Sequence, residues 1–181
     1  MTDRMKRVLP QFQLPEEYQD ITLFDNGHIN QTYKVTYGTG EDKESYIVQG
    51  INSYVFKKPE EVMENIAEIT RFMKQKLKER GGDYKRGVLD FLETTDGKNY
   101  YQDENGEYWR AYRFVDHSKT YDVITDTKIL YNSGKAFGDF QQMLADFPMN
   151  KLKETIPGFH DTPQRLKSFF DIVESLSLIH I

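Results

Sequence analysis

The sequence predicts an α+β chain in which antiparallel strands and one long helix are followed by an all-helical stretch. Three observations predict it. Up to Val115, short segments rich in β-branched and aromatic residues are separated by glycine-bearing turns. One segment, beginning at Pro59, instead repeats its apolar residues at helical spacing. Beyond Val115 the pattern is helical throughout. Its 181 residues suit one ordinary domain or two small ones. Hydrophobic residues are 38% and charged residues 29%, as in globular chains, and 12 Tyr, 12 Phe and 1 Trp supply bulk for a core.

Ile21-Thr-Leu-Phe24 and Gln31-Thr-Tyr-Lys-Val-Thr-Tyr37 read as two strands joined through Asp25-Asn-Gly-His-Ile-Asn30. Gly38-Thr-Gly-Glu-Asp-Lys43 then turns the chain into Tyr46-Ile-Val-Gln49, completing an antiparallel meander. Pro59 suits the first position of the long helix, with Glu60 and Glu61 placed for its dipole. Val62, Ile66, Ile69 and Met73 form its apolar stripe, flanked by Met63, Thr70 and Leu77. Lysines crowd its last turns and Gly81-Gly82 ends it. Strands resume at Gly87–Leu92, followed by a hairpin from Lys98–Gln102 through Asn105-Gly106 to Tyr108–Val115. The order is read as β-β-β-α-β-β, a five-stranded antiparallel unit.

Two helices are expected in the remainder. Lys128–Phe147 carries Ile129, Ser133, Phe137, Phe140 and Leu144 on one stripe, and its Gly134 and Gly138 would admit a close backbone neighbour. Thr162 and Pro163 would start the second, with Leu166, Phe169, Phe170 and Val173 pointing inward. Leu176-Ser-Leu-Ile-His-Ile181 is what a transposase-adapter end encodes in frame (ctg tct ctt ata cac atc). Residues 176–181 are therefore expected to be a non-native tail, with the natural frame continuing past Ser175.

Several function classes are excluded by composition. Without cysteine there are no disulfides, thiolate metal sites or cysteine nucleophiles. A net charge of −5, from 24 basic and 29 acidic residues, argues against a nucleic-acid partner. No run of apolar residues suits a membrane span, and the basic N-terminus lacks the apolar stretch of a secretory signal. A cytoplasmic location without membrane association is expected. His28, His117, His160 and His180 are scattered without metal-ligand spacing, and no nucleophile elbow or Walker loop occurs.

The glycine-bearing turn Asn26-Gly-His-Ile-Asn30 could cradle phosphate oxygens with its backbone N–H groups, although such turns are common in hairpins. Order adds weight to it: two strands and a loop, a third strand, a long helix, two more strands and a helical region follow a kinase N-lobe. The strings Asn26-Gly-His-Ile-Asn-Gln-Thr-Tyr33, Tyr46-Ile-Val-Gln-Gly-Ile-Asn52, Val55-Phe56, Pro59 and Val62-Met-Glu-Asn-Ile66 go further. Together with Trp109-Arg-Ala-Tyr-Arg-Phe-Val115 and Glu154-Thr-Ile-Pro-Gly-Phe-His-Asp161, they resemble the aminoglycoside phosphotransferase and choline kinase-like superfamily. Its N-acetylhexosamine 1-kinase branch is the most similar, and the resemblance spans about residues 10–175.

That resemblance implies a protein kinase-like fold, with residues 1–115 as the nucleotide-binding N-lobe and 116–175 as the hinge and an incomplete helical C-lobe. It implies ATP and Mg²⁺ as cofactors and a sugar hydroxyl as acceptor; a monomer is expected at full length. Asn26, Gly27, His28, Ile29 and Asn30 would cover the nucleotide phosphates. Arg113, Phe114 and Val115, with Asp116, would be the hinge whose backbone binds adenine. Gln49 stands where the family's strand lysine is usual. Glu64 projects away from the helix's apolar stripe and Asn65 is nearer, so a neutral Gln49–Asn65 contact is expected in place of a charged pair. The catalytic His-x-Asp loop, its Asn and the metal-binding Asp are not found. His160-Asp161 lacks the spacer and precedes a helix, where Asp commonly caps. The catalytic and metal residues are expected beyond the present sequence, leaving this chain inactive by itself. A non-catalytic nucleotide-binding or regulatory module is the alternative, and a carbohydrate-binding or interaction domain a more remote one.

Overall fold

A computed structural model describes residues 2–24 and 29–177. Six antiparallel strands form one sheet: β1 (Tyr18–Leu23), β2 (Gln31–Tyr37), β3 (Glu44–Ile51), β4 (Phe91–Leu92), β5 (Tyr101–Gln102) and β6 (Tyr108–Arg113). The order is β1-β2-β3-β6, with β4 and β5 both on the remaining edge of β6. Those two-residue strands lie end to end, β4 against Ala111 and Tyr112 and β5 against Tyr108 and Trp109. The sheet therefore has six strands, one more than the five expected, but only five positions across.

Alternation sorts the side chains onto two faces. Tyr33, Val35 and Tyr37 of β2, Tyr46 and Val48 of β3, and Trp109 and Ala111 of β6 share the outer face. Met5 and Val8 of helix α1 (Thr2–Val8), with Leu9 and Phe12, bury against it. Each side chain of this size contributes roughly 1.5–3 kcal/mol on burial. That anchorage holds a seven-residue helix too short to persist alone. Arg4 stacks over Trp109 at 4.6 Å and pairs with Asp103 and Glu107.

Asp103 organises the β5–β6 turn. Its Oδ1 accepts the N–H groups of Asn105 and Glu107, each at 3.0 Å. Its Oδ2 accepts Trp109 Nε1 and Arg4 Nη2, each at 3.1 Å. Gly106 completes the turn at φ +78°. Burial pushes the Asp103 carboxyl upward, but the hydrogen bonds from Trp109, Arg4 and Asn105 outweigh it and hold the group below its ordinary value.

The long helix α2 (Pro59–Glu79) begins at the expected proline. Gly81 closes it at φ +67°, and the Gly82 N–H donates to the Leu77 carbonyl. Met63 and Met73 are its buried apolar side chains, while Val62, Ile66 and Ile69 are half-buried. The expected single stripe is spread because α2 has neighbours on two sides. Met63 meets β6 through Arg110, and Phe72 meets Phe147 edge-to-face at 5.1 Å. The expected strand over 87–92 shrinks to β4. Asp83 accepts the N–H groups of Lys85 and Arg86, winding Tyr84–Gly87 into a helical turn, α3.

Helix α4 (Thr127–Met143) is capped by Asp126 and ends before the expected Phe147. Asp161, rather than Thr162, caps helix α5 (Thr162–Ser177) by accepting the Gln164 N–H at 3.0 Å. The inward packing expected of these helices is not found. Phe137 is 68% exposed and Phe169 59% exposed, and no atom approaches a Cβ built on Gly134 or Gly138 within 4 Å. No described element lies against those faces to cover them. No helix among the described residues is long and apolar enough to cross a membrane.

Candidate functional site

The sheet's inner face is set by register. Thr32 of β2 pairs with Gln49 of β3, which pairs with Arg110 of β6. The next row is Lys34, Ile47 and Tyr112, with Phe91 of β4 beyond. Thr36 and Ser45 follow, their hydroxyls 3.3 Å apart. The Phe114 N–H donates to the Ser45 carbonyl, carrying the ladder one residue past β6.

Gln49 does not meet Asn65. Its Nε2 donates to Thr32 Oγ1 at 2.8 Å, while Oε1 accepts Arg110 Nε at 2.9 Å and Nη2 at 2.6 Å. Asn65 faces the other way, to the segment after α4. Its Nδ2 donates to the Lys153 carbonyl and its Oδ1 accepts the Lys153 N–H, both at 2.8 Å. The contact expected from the sequence fails because α2 turns Asn65 toward residues 151–153, where Lys151 also reaches Glu68. Asn65 is a clip between α2 and that segment.

Arg110 Nη1 also reaches Met63 Sδ at 3.9 Å, and its guanidinium lies 5.7 Å from the Phe91 ring centre. Burial pushes Arg110 down from its ordinary value, as it does a cation without a carboxylate partner. Burial likewise raises the Tyr112 phenol, opposed by the Arg110 charge. Lys34 Nζ sits 3.8 Å from the Phe114 ring centre, and Phe114 meets Phe24 edge-to-face at 6.3 Å.

Of the expected phosphate loop, Asn26, Gly27 and His28 lie outside the described residues. Ile29 and Asn30 are fastened to the end of β3. Asn30 Oδ1 accepts the Asn52 N–H at 2.9 Å, and Asn52 Nδ2 donates to the Ile29 carbonyl at 3.0 Å. At the expected hinge the Arg113 side chain lies on the outer face, pairing with Glu44 and stacking on Tyr46. The Phe114 carbonyl and the Val115 N–H have no partner among the described residues. The Val115 carbonyl accepts Ser118 Oγ.

Two cavities flank the sheet. One of about 530 Å³ is lined by Gln31, Gly50, Asn52, Asn105, Glu107 and Trp109 among others. It carries a carboxylate and no cation, which does not suit phosphate. The other, of about 470 Å³, holds Glu44 and Asp90, which pair with Arg113 and Lys74. No group of three or more metal-ligating side chains forms among the described residues.

Scanned against protein-family models, the chain matches none. Sequence reasoning passed over Lys34 and Arg110, the two cations that the described strands place on the inner face. The signal was available: alternation through Trp109-Arg-Ala-Tyr-Arg113 opposes Arg110 to Gln49 once β3 and β6 are paired.

Proposed function

We propose that this chain is the nucleotide-binding portion of an ATP-dependent small-molecule kinase with a protein kinase-like fold. The observation that carries the reading is the exit of β6. There the chain leaves the sheet with the Val115 N–H without a partner among the described residues, beside the aromatic wall of Phe24 and Phe114. A purine ring nitrogen presents an acceptor to that N–H, and the rings supply a surface for its face. The inner face then offers cations along the sheet toward the loop that follows Phe24.

In this reading residues 114–115 hold adenine, and Ile29 and Asn30 belong to the loop over the phosphates. The chain's own residues bind and orient the triphosphate. Mg²⁺ finds no donor set among the described residues, so no step is assigned to it. The residue strings quoted above support a sugar hydroxyl as acceptor, the anomeric hydroxyl of an N-acetylhexosamine by resemblance, and a monomeric cytoplasmic protein.

Titration calorimetry with adenosine tests the assignment. Val115→Pro removes the N–H and is expected to weaken adenosine binding about tenfold, the worth of one such hydrogen bond. Val115→Ala is expected to leave it unchanged. No adenosine binding by the unaltered chain, or equal affinity for the proline variant, would sink the reading.

A further inference from the structure

We propose that Arg110 is the cation that receives the polyphosphate of a nucleoside triphosphate, filling the role of the lysine absent at position 49, and that Gln49 aims it. The inference rests on the nucleotide reading of the inner face.

Arg110 sits on an interior strand, yet its principal partner is neutral. Of five guanidinium N–H groups, two go to Gln49 Oε1 and one to Met63 Sδ. The other two have no acceptor among the described residues. Buried charges are ordinarily paired. Glu60, one turn before Met63 on α2, makes no ion pair with Arg110, and its buried Oε2 has no hydrogen-bond partner among the described residues. The positive charge is therefore left for an anion to complete, and a guanidinium fork matches the geometry of phosphate oxygens.

The amide of Gln49 cannot turn around. Arg110 offers only donors, so Oε1 must face it, and Nε2 donates to Thr32 Oγ1, whose own hydroxyl donates to the Asn30 carbonyl. A lysine at position 49 would set a second cation against Arg110, so glutamine there and arginine on the neighbouring strand belong together. Placement agrees as well. Arg110 lies in the register row of Thr32, two residues from Asn30 and thus at the loop end of the face. Lys34, in the next row, supplies a second positive charge without a carboxylate partner within 4 Å among the described residues.

The test is binding of sodium tripolyphosphate, ATP and adenosine to the full chain at physiological ionic strength, for the unaltered protein, Arg110→Gln and Gln49→Glu. Gln49→Glu is nearly isosteric and gives Arg110 an internal carboxylate, so the fold should persist even where Arg110→Gln unfolds. Trp109 fluorescence reports whether each variant is folded. Both folded variants are expected to bind tripolyphosphate and ATP about tenfold or more weakly, with adenosine affinity unchanged. Unaltered tripolyphosphate and ATP binding by a folded Gln49→Glu variant overturns the proposal. So does adenosine binding by the unaltered chain without tripolyphosphate binding, which leaves the nucleotide reading standing. Conversely, Arg110-dependent tripolyphosphate binding without adenosine binding supports Arg110 as the anion's cation and removes the nucleotide reading. Binding of neither overturns both.

Discussion

Replacing Asp103 with asparagine tests whether one carboxylate ties α1, Trp109 and the β5–β6 turn together. All four of its neighbours are donors: the N–H groups of Asn105 and Glu107 on one oxygen, Trp109 Nε1 and Arg4 Nη2 on the other. An asparagine has one oxygen and one NH₂, so either orientation turns a donor against two donors. The cheaper orientation keeps the oxygen on Trp109, only 1% exposed, and surrenders the turn N–H groups to water. With the charge toward Arg4 also lost, the cost is about 2–3 kcal/mol. For a chain of this length that lowers the melting midpoint by roughly 4–12 °C. Trp109 is the sole tryptophan, so denaturant unfolding followed by its fluorescence reads the loss directly. The carboxyl's folded-state value lies below its ordinary one. Its contribution is therefore fully present above about pH 4 and disappears as pH falls through the folded value. The stability gap between the two proteins should be widest at neutral pH and close under acid. A difference below about 0.5 kcal/mol at neutral pH, or one unchanged by acid, would refute the reasoning.

Two other outcomes follow from described contacts. Asn65→Ala removes both hydrogen bonds to Lys153, so exchange of the Lys153 amide should quicken about fivefold, the worth of about 1 kcal/mol; unchanged exchange would show that the clip holds nothing. Tyr37, 3% exposed, is pushed up to about 12 by burial, with Tyr46 and Tyr18 adding to it. The Tyr37 contribution to stability should be level below about pH 10, where an unfolded tyrosine begins to ionise, and be lost between there and about 12. Tyr37→Phe should remove that alkaline loss, measured by unfolding midpoints; an identical loss in the variant would assign it to other groups.

Legibility followed the local physics. Pro59 and Gly81 delimit α2 through fixed or left-handed backbone that few other residues adopt, and the structure begins and ends the helix there. Asn105-Gly106 likewise announced its turn. Helix α1 was passed over although Met5, Val8, Leu9 and Phe12 have helical spacing, because its stability comes from the sheet rather than from its own seven residues. The Gln49–Asn65 pairing failed for a related reason. An apolar stripe gives a helix's phase only when one side is covered, and α2 is contacted on two. Arg110 needed the β3–β6 register, a pairing across 61 positions that no local pattern encodes.

The end-to-end placement of β4 and β5 also bears on how copies of this chain would meet. An incoming strand at that side of the sheet finds no continuous ladder, since each stub offers two residues and the Gln13 N–H is already given to the Glu93 carbonyl beside them. On the opposite side, β1 changes register between Tyr18 and Asp20, which bends that long edge. Fibril-like growth by strand addition is thus hindered at both borders of the sheet. Self-association during purification should instead run through the uncovered phenylalanines of α4 and α5, and mild detergent rather than salt should suppress it.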